Sequence, residues 1–235
     1  MNDLLAAASL DHNEPFWKHR GTLETFGFLR VTGLFEREEV LRIRRGLESL
    51  FTPTADFVEP IYHRKSAQYL RDEDHGESRL ARRVRMFYGP PDPWLFQRLA
   101  HFRNQLCGVH PDWAFSRPED GWWTACHFNH YPRGGGFLNA HTDVDYVRDE
   151  PMHGYCQPVL YMSQRGEDFA TGGGWALTAN DAFVDLEEGR EIGDVVIVGG
   201  RTIHGVRAVD SEAPAVPDAL VGRVVAITTP LRVTS

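Results

Sequence analysis

The sequence predicts a mainly β fold, a double-stranded β-helix (a jelly-roll, cupin-like barrel) flanked by N-terminal α-helices. Two observations predict it. The first half of the chain carries apolar residues at helical intervals, whereas from Trp122 onward short β-rich runs alternate with glycine and proline. We therefore expect one domain over residues 1–235, with helical support mainly in 1–110 and the barrel core in about 120–230.

Two amphipathic helices are expected in the first half. The start of the second of these helices is predicted at Asp92-Pro93, because a capping residue followed by proline is typical of a first helical turn. The apolar stripe of the first helix, within residues 36–51, is Val40, Leu41, Ile43, Leu47 and Leu50. That of the second is Trp94, Leu95, Leu99, Phe102 and Leu106. Each stripe is suited to cover one face of a sheet.

Composition and charge narrow the class of protein. The chain is 42% hydrophobic and 25% charged, which suffices for a sizeable core. Its formal net charge of −8 argues against nucleic acid as a partner. The three cysteines, Cys107, Cys126 and Cys156, are too few and scattered for a disulfide framework, so reduced thiols are expected. The first ten residues have no cationic start and no long apolar stretch, so we expect neither a signal peptide nor a membrane span, and a cytoplasmic location. Oligomeric state is not predicted.

His141-Thr142-Asp143 is the motif that most constrains function. Residues two apart project from the same face of a strand, so the imidazole and the carboxylate can meet one ion. His204, at the end of the buried apolar run 193–204, is the expected third ligand from a neighbouring strand. Two imidazoles and one carboxylate are the protein ligands of non-haem Fe(II) sites that leave one face of the metal open.

Four further stretches strengthen this interpretation because they resemble motifs of the Fe(II)/2-oxoglutarate-dependent oxygenases. Asn129-His130-Tyr131 is similar to the N-x-Y-x-x-G segment before the H-x-D motif, and 172–177 resembles the G-G-x-L turn. Residues 193–197 resemble the G-D-x-V-x strand, and 222–227 the R-x-S strand. The resemblance covers about residues 120–230, with a looser match in 26–35 to the strand and turn that open the fold.

The resemblance implies a mechanism. His141, Asp143 and His204 would hold Fe(II), and Arg223 would bind the far carboxylate of the cosubstrate 2-oxoglutarate. Asn129 and Tyr131 would also contact the cosubstrate, although both could simply order a turn before the glycines. With O2, 2-oxoglutarate would be converted to succinate and CO2 while a substrate is oxidised. Hydroxylation is the default outcome, and desaturation or cyclisation use the same residues.

Two details concern the cosubstrate carboxylate. Val225 stands where the serine of R-x-S is expected, so Tyr131, Thr229 or another donor has to supply that hydrogen bond. Arg207 lies nearer to His204 in sequence than Arg223 does, but strand alternation points it away from the barrel interior. The same alternation places His127, Asn129 and Tyr131 inward and the residues between them outward.

Substrate contacts are the least constrained part of the prediction. A small molecule, such as an amino acid or a natural-product intermediate, is expected because the chain is short and has no evident peptide-docking domain. The candidates are His127, Asp145, Arg83, Arg85 and Tyr88. Each has a plainer alternative: a core histidine, a solvated carboxylate, or surface ion pairs. His130 and His153 are expected to be hydrogen-bonding residues and not a fourth ligand.

Two other functions are compatible with the metal triad. A zinc or other divalent-metal hydrolase on a cupin-like barrel could use two histidines and one aspartate with a metal-bound water. It would need neither Arg223 nor the N-x-Y segment. A non-catalytic jelly-roll ligand-binding protein is the other alternative, and it would not need an intact metal triad.

Overall fold

The computed structural model describes residues 2–48, 68–73, 82–88, 93–115, 119, 121–143, 155–216 and 219–232. In strands 68–73 and 82–88 it describes the backbone and, of the side chains, only that of Val84. No helix within these ranges is both long and apolar enough to cross a membrane.

Four helices and twelve strands lie in the described ranges. The helices are α1 (Asn2–Ala7), α2 (Phe16–Phe26), α3 (Arg37–Glu48) and α4 (Pro93–Leu106). The strands before residue 120 are β1 (Ser9–Asp11), β2 (Phe28–Thr32), β3 (Gln68–Glu73) and β4 (Arg82–Tyr88). Those after it are β5 (Trp122–Pro132), β6 (Gly136–His141), β7 (Cys156–Tyr161), β8 (Gly173–Leu177), β9 (Phe183–Asp185), β10 (Val195–Gly199), β11 (His204–Val209) and β12 (Gly222–Arg232). The two amphipathic helices expected from the sequence are α3 and α4. Of their predicted apolar residues, Leu50 lies outside the described residues and Trp94 is 42% exposed.

The strand order is that of a double-stranded β-helix. It runs β1-β2-β10-β7-β12-β5-β4-β6-β11-β8-β9, with β3 paired to β4. The barrel strands form two antiparallel halves, β10-β7-β12-β5 and β6-β11-β8-β9. Strand β4 joins the halves, because it pairs with β5 through 85–88 and with β6 through 82–83. Strands consecutive in the chain mostly lie in opposite halves. The predicted fold class is confirmed.

Apolar side chains form two separate cores, one on each face of the first half-sheet. Val225 and Ile227 of β12 pack inside the barrel, whereas Val224 and Ala226 pack in the layer shared with the helices. This arrangement follows from strand geometry, in which successive side chains point to opposite faces of the sheet. The layer under α3 and α4 includes Val40, Ile43, Leu47, Leu95 and Leu99.

The turn between α2 and β2 fixes the segment that leads to His204. Gly27 ends α2 with φ of 78°, a conformation that favours glycine. Its carbonyl accepts hydrogen bonds from Thr202 Oγ1 (2.6 Å) and from the Gly199 amide (2.9 Å). A Cβ at Gly27 would lie only 2.6 Å from Thr202 Oγ1. The N-terminal part of the chain therefore positions the C-terminal histidine.

Candidate functional site

Three side chains come together where β6 ends and β11 begins. His141 ends β6, His204 begins β11, and the two are paired opposite each other in the antiparallel register. Asp143 follows β6, and its amide donates to the carbonyl of Gly200 (2.9 Å). One possible ligand atom from each of the three side chains lies within 4.8 Å of the others. The structure thus brings together all three residues that the sequence nominated as metal ligands.

Both imidazoles are held in the tautomer that suits a metal ligand. His141 Nδ1 lies 2.9 Å from the carbonyl oxygen of Asn139, and His204 Nδ1 lies 2.9 Å from that of Thr202. A carbonyl oxygen can only accept, so each Nδ1 carries a proton and Nε2 is the nitrogen that can bind a metal. The Nε2 atoms of His141 and His204 lie 3.7 and 3.8 Å from the same Asp143 oxygen, Oδ1.

The electrostatics of the triad also fit a bound cation. Burial raises the pKa of Asp143 to about 6, against the lowering effect of His141. Burial likewise lowers the pKa of His204. Asp143 Oδ2 is buried and has no hydrogen-bond partner among the described residues. A divalent cation would compensate the buried carboxylate and could coordinate both imidazoles through Nε2, so the donor set fits Fe(II) as well as Zn(II).

Arg223 lies in the barrel interior, opposite Tyr131 in the β12–β5 register. It is only 3% exposed, and its Nε donates to Glu187 Oε1 (2.7 Å). Its guanidinium carbon lies 4.8 Å from the ring centroid of Tyr161 and 5.3 Å from that of Tyr131. A buried guanidinium between two aromatic rings is suited to hold a carboxylate.

Arg207 has a different environment. Its side chain is 47% exposed and pairs with Asp185 (2.7 Å) on the outside of the barrel. Its guanidinium carbon also lies 5.1 Å from the ring centroid of Phe183. Arg207 therefore does not reach the interior that Arg223 occupies, as strand alternation predicts.

Val225 occupies the interior position next to Arg223 on the same face of β12. It is fully buried and is paired with Asn129 on one side and Tyr161 on the other. Thr229 lies on the same face but six residues beyond Arg223 (223 to 229), about 20 Å along the strand. Its hydroxyl accepts from Gln157 Nε2 (2.7 Å). Among the side chains that the structure describes, Tyr131 and Tyr161 are the hydroxyl-bearing ones beside Arg223.

Asn129 and His127 lie on β5 with Tyr131. Both are buried, at 4% and 8% exposed. Asn129 Oδ1 has no hydrogen-bond partner among the described residues, so it is a polar atom that a bound molecule could satisfy. His130 belongs to the opposite face, where its Nε2 bonds the carbonyl of Val221 (2.9 Å), and it is not part of the cluster of possible metal ligands.

The remaining substrate candidates are only partly covered by the structure. Asp145 lies outside the described residues, as does His153. Arg83, Arg85 and Tyr88 belong to β4, where Arg85 is paired with His130 and Tyr88 with His127. Their side chains are outside the described part of the chain. Their contribution to substrate binding stays a prediction.

Three residues of the interior were not found from the sequence: Tyr161, Glu187 and Arg190. Tyr161 ends β7, and the other two follow β9 in a turn. An aromatic residue at the end of a strand and charged residues in a turn are ordinary in any barrel, so no local pattern identifies them. Only the fold brings them to Arg223.

Comparison with known proteins supports the fold assignment. No family model and no curated protein matches the sequence. A prolyl-4-hydroxylase from Pseudomonas putida is 16% identical, with 94% of this chain and 100% of that chain covered at a TM-score of 0.56. An oxidoreductase of the 2OG-Fe(II) oxygenase family from Burkholderia pseudomallei is 12% identical, with 97% of each chain covered and a TM-score of 0.57. The dioxygenase for auxin oxidation 1 from Arabidopsis thaliana, in complex with 2-oxoglutarate, is 13% identical, with 96% of this chain and 92% of that chain covered at 0.56. The chain therefore shares the fold of these oxygenases.

Proposed function

We propose that this chain is a non-haem Fe(II)/2-oxoglutarate-dependent dioxygenase, formed by a single domain over residues 1–235. It would convert 2-oxoglutarate to succinate and CO2 while oxidising a small-molecule substrate, most simply by hydroxylation. The observation that carries the proposal is the His141, Asp143 and His204 site, with one ligand atom of each residue within 4.8 Å of the others in the fold of known oxygenases. The buried Arg223 in the same barrel supports it.

Each residue of the triad has a defined role. His141 and His204 would present Nε2 to the metal, because the carbonyls of Asn139 and Thr202 accept hydrogen bonds from Nδ1. Asp143 supplies the carboxylate, held by its own backbone bond to Gly200. When bound, Fe(II) with 2-oxoglutarate and O2 supplies the oxidising chemistry.

Arg223 would anchor the far carboxylate of 2-oxoglutarate. Its guanidinium is fixed between Tyr131 and Tyr161 and shielded from water, so the pairing with a carboxylate is not weakened by solvent. Tyr131 or Tyr161 would donate the hydrogen bond that Val225 cannot make. The unpartnered Asn129 Oδ1 offers a further polar contact inside the barrel.

The interior arginine favours an oxygenase over a zinc hydrolase. A hydrolase on this barrel would need the metal and its bound water, and nothing in that chemistry requires a buried guanidinium. A non-catalytic binding protein, in turn, has no need for two histidines held in the ligand tautomer. Halogenation is disfavoured because Asp143 occupies the position where halogenating relatives leave room for a halide.

The substrate is proposed to be a small molecule, such as an amino acid or a natural-product intermediate, and desaturation or cyclisation are alternative outcomes at the same site. None of the three cysteines is in a disulfide, and Cys107 Sγ lies 3.5 Å from Cys156 Sγ. A reducing, cytoplasmic compartment is proposed on this basis. The test is an aerobic screen in which candidate substrates are added with Fe(II) and 2-oxoglutarate and succinate is measured. A small molecule that increases succinate release and is itself oxidised supports the proposal. Stimulation by peptides alone would overturn the substrate class.

A further inference from the structure

Glu187 makes three contacts inside the barrel. Its Oε1 accepts hydrogen bonds from Arg223 Nε (2.7 Å) and from the amide of Gly174 on β8 (2.7 Å). Its other oxygen, Oε2, forms an ion pair with Arg190. The side chain of Glu187 is fully shielded from solvent. One carboxylate thus ties Arg223 to β8 and to a second arginine.

Arg190 is buried as completely as Glu187. Its Nε donates to the carbonyl of Leu186 (3.1 Å), and its guanidinium carbon lies 3.1 Å from the ring centroid of Tyr161. Burial lowers the pKa of Arg190 to about 9. The group therefore stays charged near neutral pH, and it holds the Tyr161 ring that also faces Arg223.

These three side chains have an unbalanced charge. Two guanidinium groups, of Arg190 and Arg223, are buried with one carboxylate, that of Glu187. The neighbouring Arg30 and Asp194 pair with each other (2.7 Å) and add no net charge. Among the described side chains, one positive charge is left in excess in this buried cluster, where it would be costly without an anion.

The geometry also limits how an anion can approach Arg223. Because Nε is bonded to Glu187, the two terminal nitrogens Nη1 and Nη2 are the donors left for a carboxylate. Gly174 keeps the space beside them open, since a Cβ there would lie 3.0 Å from Arg223 Nη2 and 3.1 Å from the Tyr161 hydroxyl. A carboxylate arriving at this point would meet the guanidinium fork and the tyrosine hydroxyl together.

We propose that Glu187 is a positioning residue for Arg223 and that Arg190 is the counter-ion of Glu187. Glu187 orients the guanidinium fork of Arg223 toward the second carboxylate of the cosubstrate, and Arg190 holds the Glu187 carboxylate in place. The inference rests on the proposed function, because it concerns the binding of 2-oxoglutarate. An opposite reading is also testable: if Glu187 only neutralised Arg223, removing its charge would strengthen 2-oxoglutarate binding.

The experiment compares two ligands that differ only at the far end, 2-oxoglutarate and 2-oxopentanoate, in which a methyl group replaces the far carboxylate. Binding is measured by calorimetry on protein loaded with Mn(II), which occupies nitrogen and oxygen ligand sites without turnover. The variants are Glu187→Gln, which removes the charge, and Glu187→Asp, which keeps the charge and withdraws the carboxylate from Arg223. Glu188→Gln is the matched control, because it makes the same change one residue away, at a partly exposed position.

Wild type is expected to bind 2-oxoglutarate at least about a hundredfold more tightly than 2-oxopentanoate. In both Glu187 variants the Kd of 2-oxoglutarate should rise at least about tenfold, while that of 2-oxopentanoate changes less than about twofold. With Fe(II), the KM for 2-oxoglutarate should rise in parallel and kcat at saturation should stay near that of wild type. A purely structural role would weaken both ligands alike. Glu188→Gln should match wild type.

The outcomes separate the inference from the function on which it rests. Unchanged or tighter 2-oxoglutarate binding in Glu187→Gln and Glu187→Asp, with wild type selective, overturns the positioning role alone. A wild type that binds neither ligand overturns the proposed function as well. Glu187→Asp keeps the number of buried charges, so it provides the comparison if Glu187→Gln does not fold.

Discussion

His141 and His204 lie directly opposite each other across the β6–β11 pair, with their ring centroids 4.2 Å apart. The site is therefore a property of strand register. A slip of one residue would turn one histidine to the other face of the sheet and separate the ligands. The bond from Asp143 to Gly200 and the anchoring of Thr202 on Gly27 keep the ends of both strands in place.

Alanine at any one of the three proposed ligands should abolish turnover without unfolding the protein. Each substitution removes a metal ligand at the mouth of the barrel and not a side chain of the apolar core. We expect loss of stoichiometric iron binding and of succinate production, with an unchanged circular dichroism spectrum. His110→Ala, at an exposed histidine, is the control and should retain both. Full activity in one of the three variants would remove that residue from the ligand set.

Arg223 and Arg207 should differ strongly in their effect on the cosubstrate. Arg223→Ala should raise the 2-oxoglutarate requirement at least about a hundredfold, because a buried carboxylate without its charged partner costs on the order of 3 kcal/mol or more. Arg223→Lys should recover part of the loss, since the ammonium keeps the charge but not the fork. Arg207→Ala removes an exposed ion pair contributing about 0–1 kcal/mol, and should act weakly. The reverse ranking in 2-oxoglutarate titrations would contradict the inward register of β12.

Tyr161→Phe should weaken 2-oxoglutarate binding about tenfold, because the hydroxyl beside Arg223 would no longer donate to the carboxylate. Val225 is paired with Tyr161 across β12 and β7. Val225→Ser in the Tyr161→Phe background should therefore restore part of the affinity by supplying a hydroxyl from the neighbouring strand. Calorimetry of the single and double variants, with Tyr131→Phe beside them, shows which tyrosine takes the place of the serine. Wild-type affinity in Tyr161→Phe would assign the role to Tyr131.

Gly172→Ala should destabilise the protein more than Gly166→Ala does. Both glycines have positive φ, 83° and 97°, so either alanine is strained in the left-handed region. A Cβ at Gly172 would in addition overlap the backbone carbonyl of Ala208, whereas nothing lies within 4 Å of one at Gly166. We expect a further loss of about 1–3 kcal/mol at Gly172 in the free energy of unfolding measured by denaturant titration. Equal losses would show that the strand β8 can shift to accommodate the methyl group.

The sequence was most informative where function depends on local spacing. His141 and Asp143 lie two residues apart where β6 ends, so both can reach one ion. In β12, the alternation of strand side chains puts Arg223 and Val224 on opposite faces. The same rule placed Arg207 outside the barrel. The helices α3 and α4 were predicted because their apolar residues recur at helical intervals.

Other features depend on contacts between distant parts of the chain. Helix α2 was missed: it fully buries only His19 of its eleven residues, so its sequence carries no strong apolar stripe. Glu187, Arg190 and Tyr161 gather around Arg223 only because β7, β12 and the turn after β9 meet in the barrel. No spacing rule links 161, 187 and 223. The strand β1, which pairs in parallel with β2, gave no recognisable pattern over three residues.

Succinate formation from 2-oxoglutarate by the purified protein tests the proposed chemistry most directly. It is measured with and without Fe(II), with and without O2, and with Zn(II) in place of iron, for wild type and Asp143→Ala. We predict succinate only in the wild-type sample that contains both Fe(II) and O2, and inhibition by Zn(II), which occupies the same ligands without redox capacity. Zinc-supported hydrolysis of a substrate, with no succinate under any condition, would contradict the oxygenase assignment.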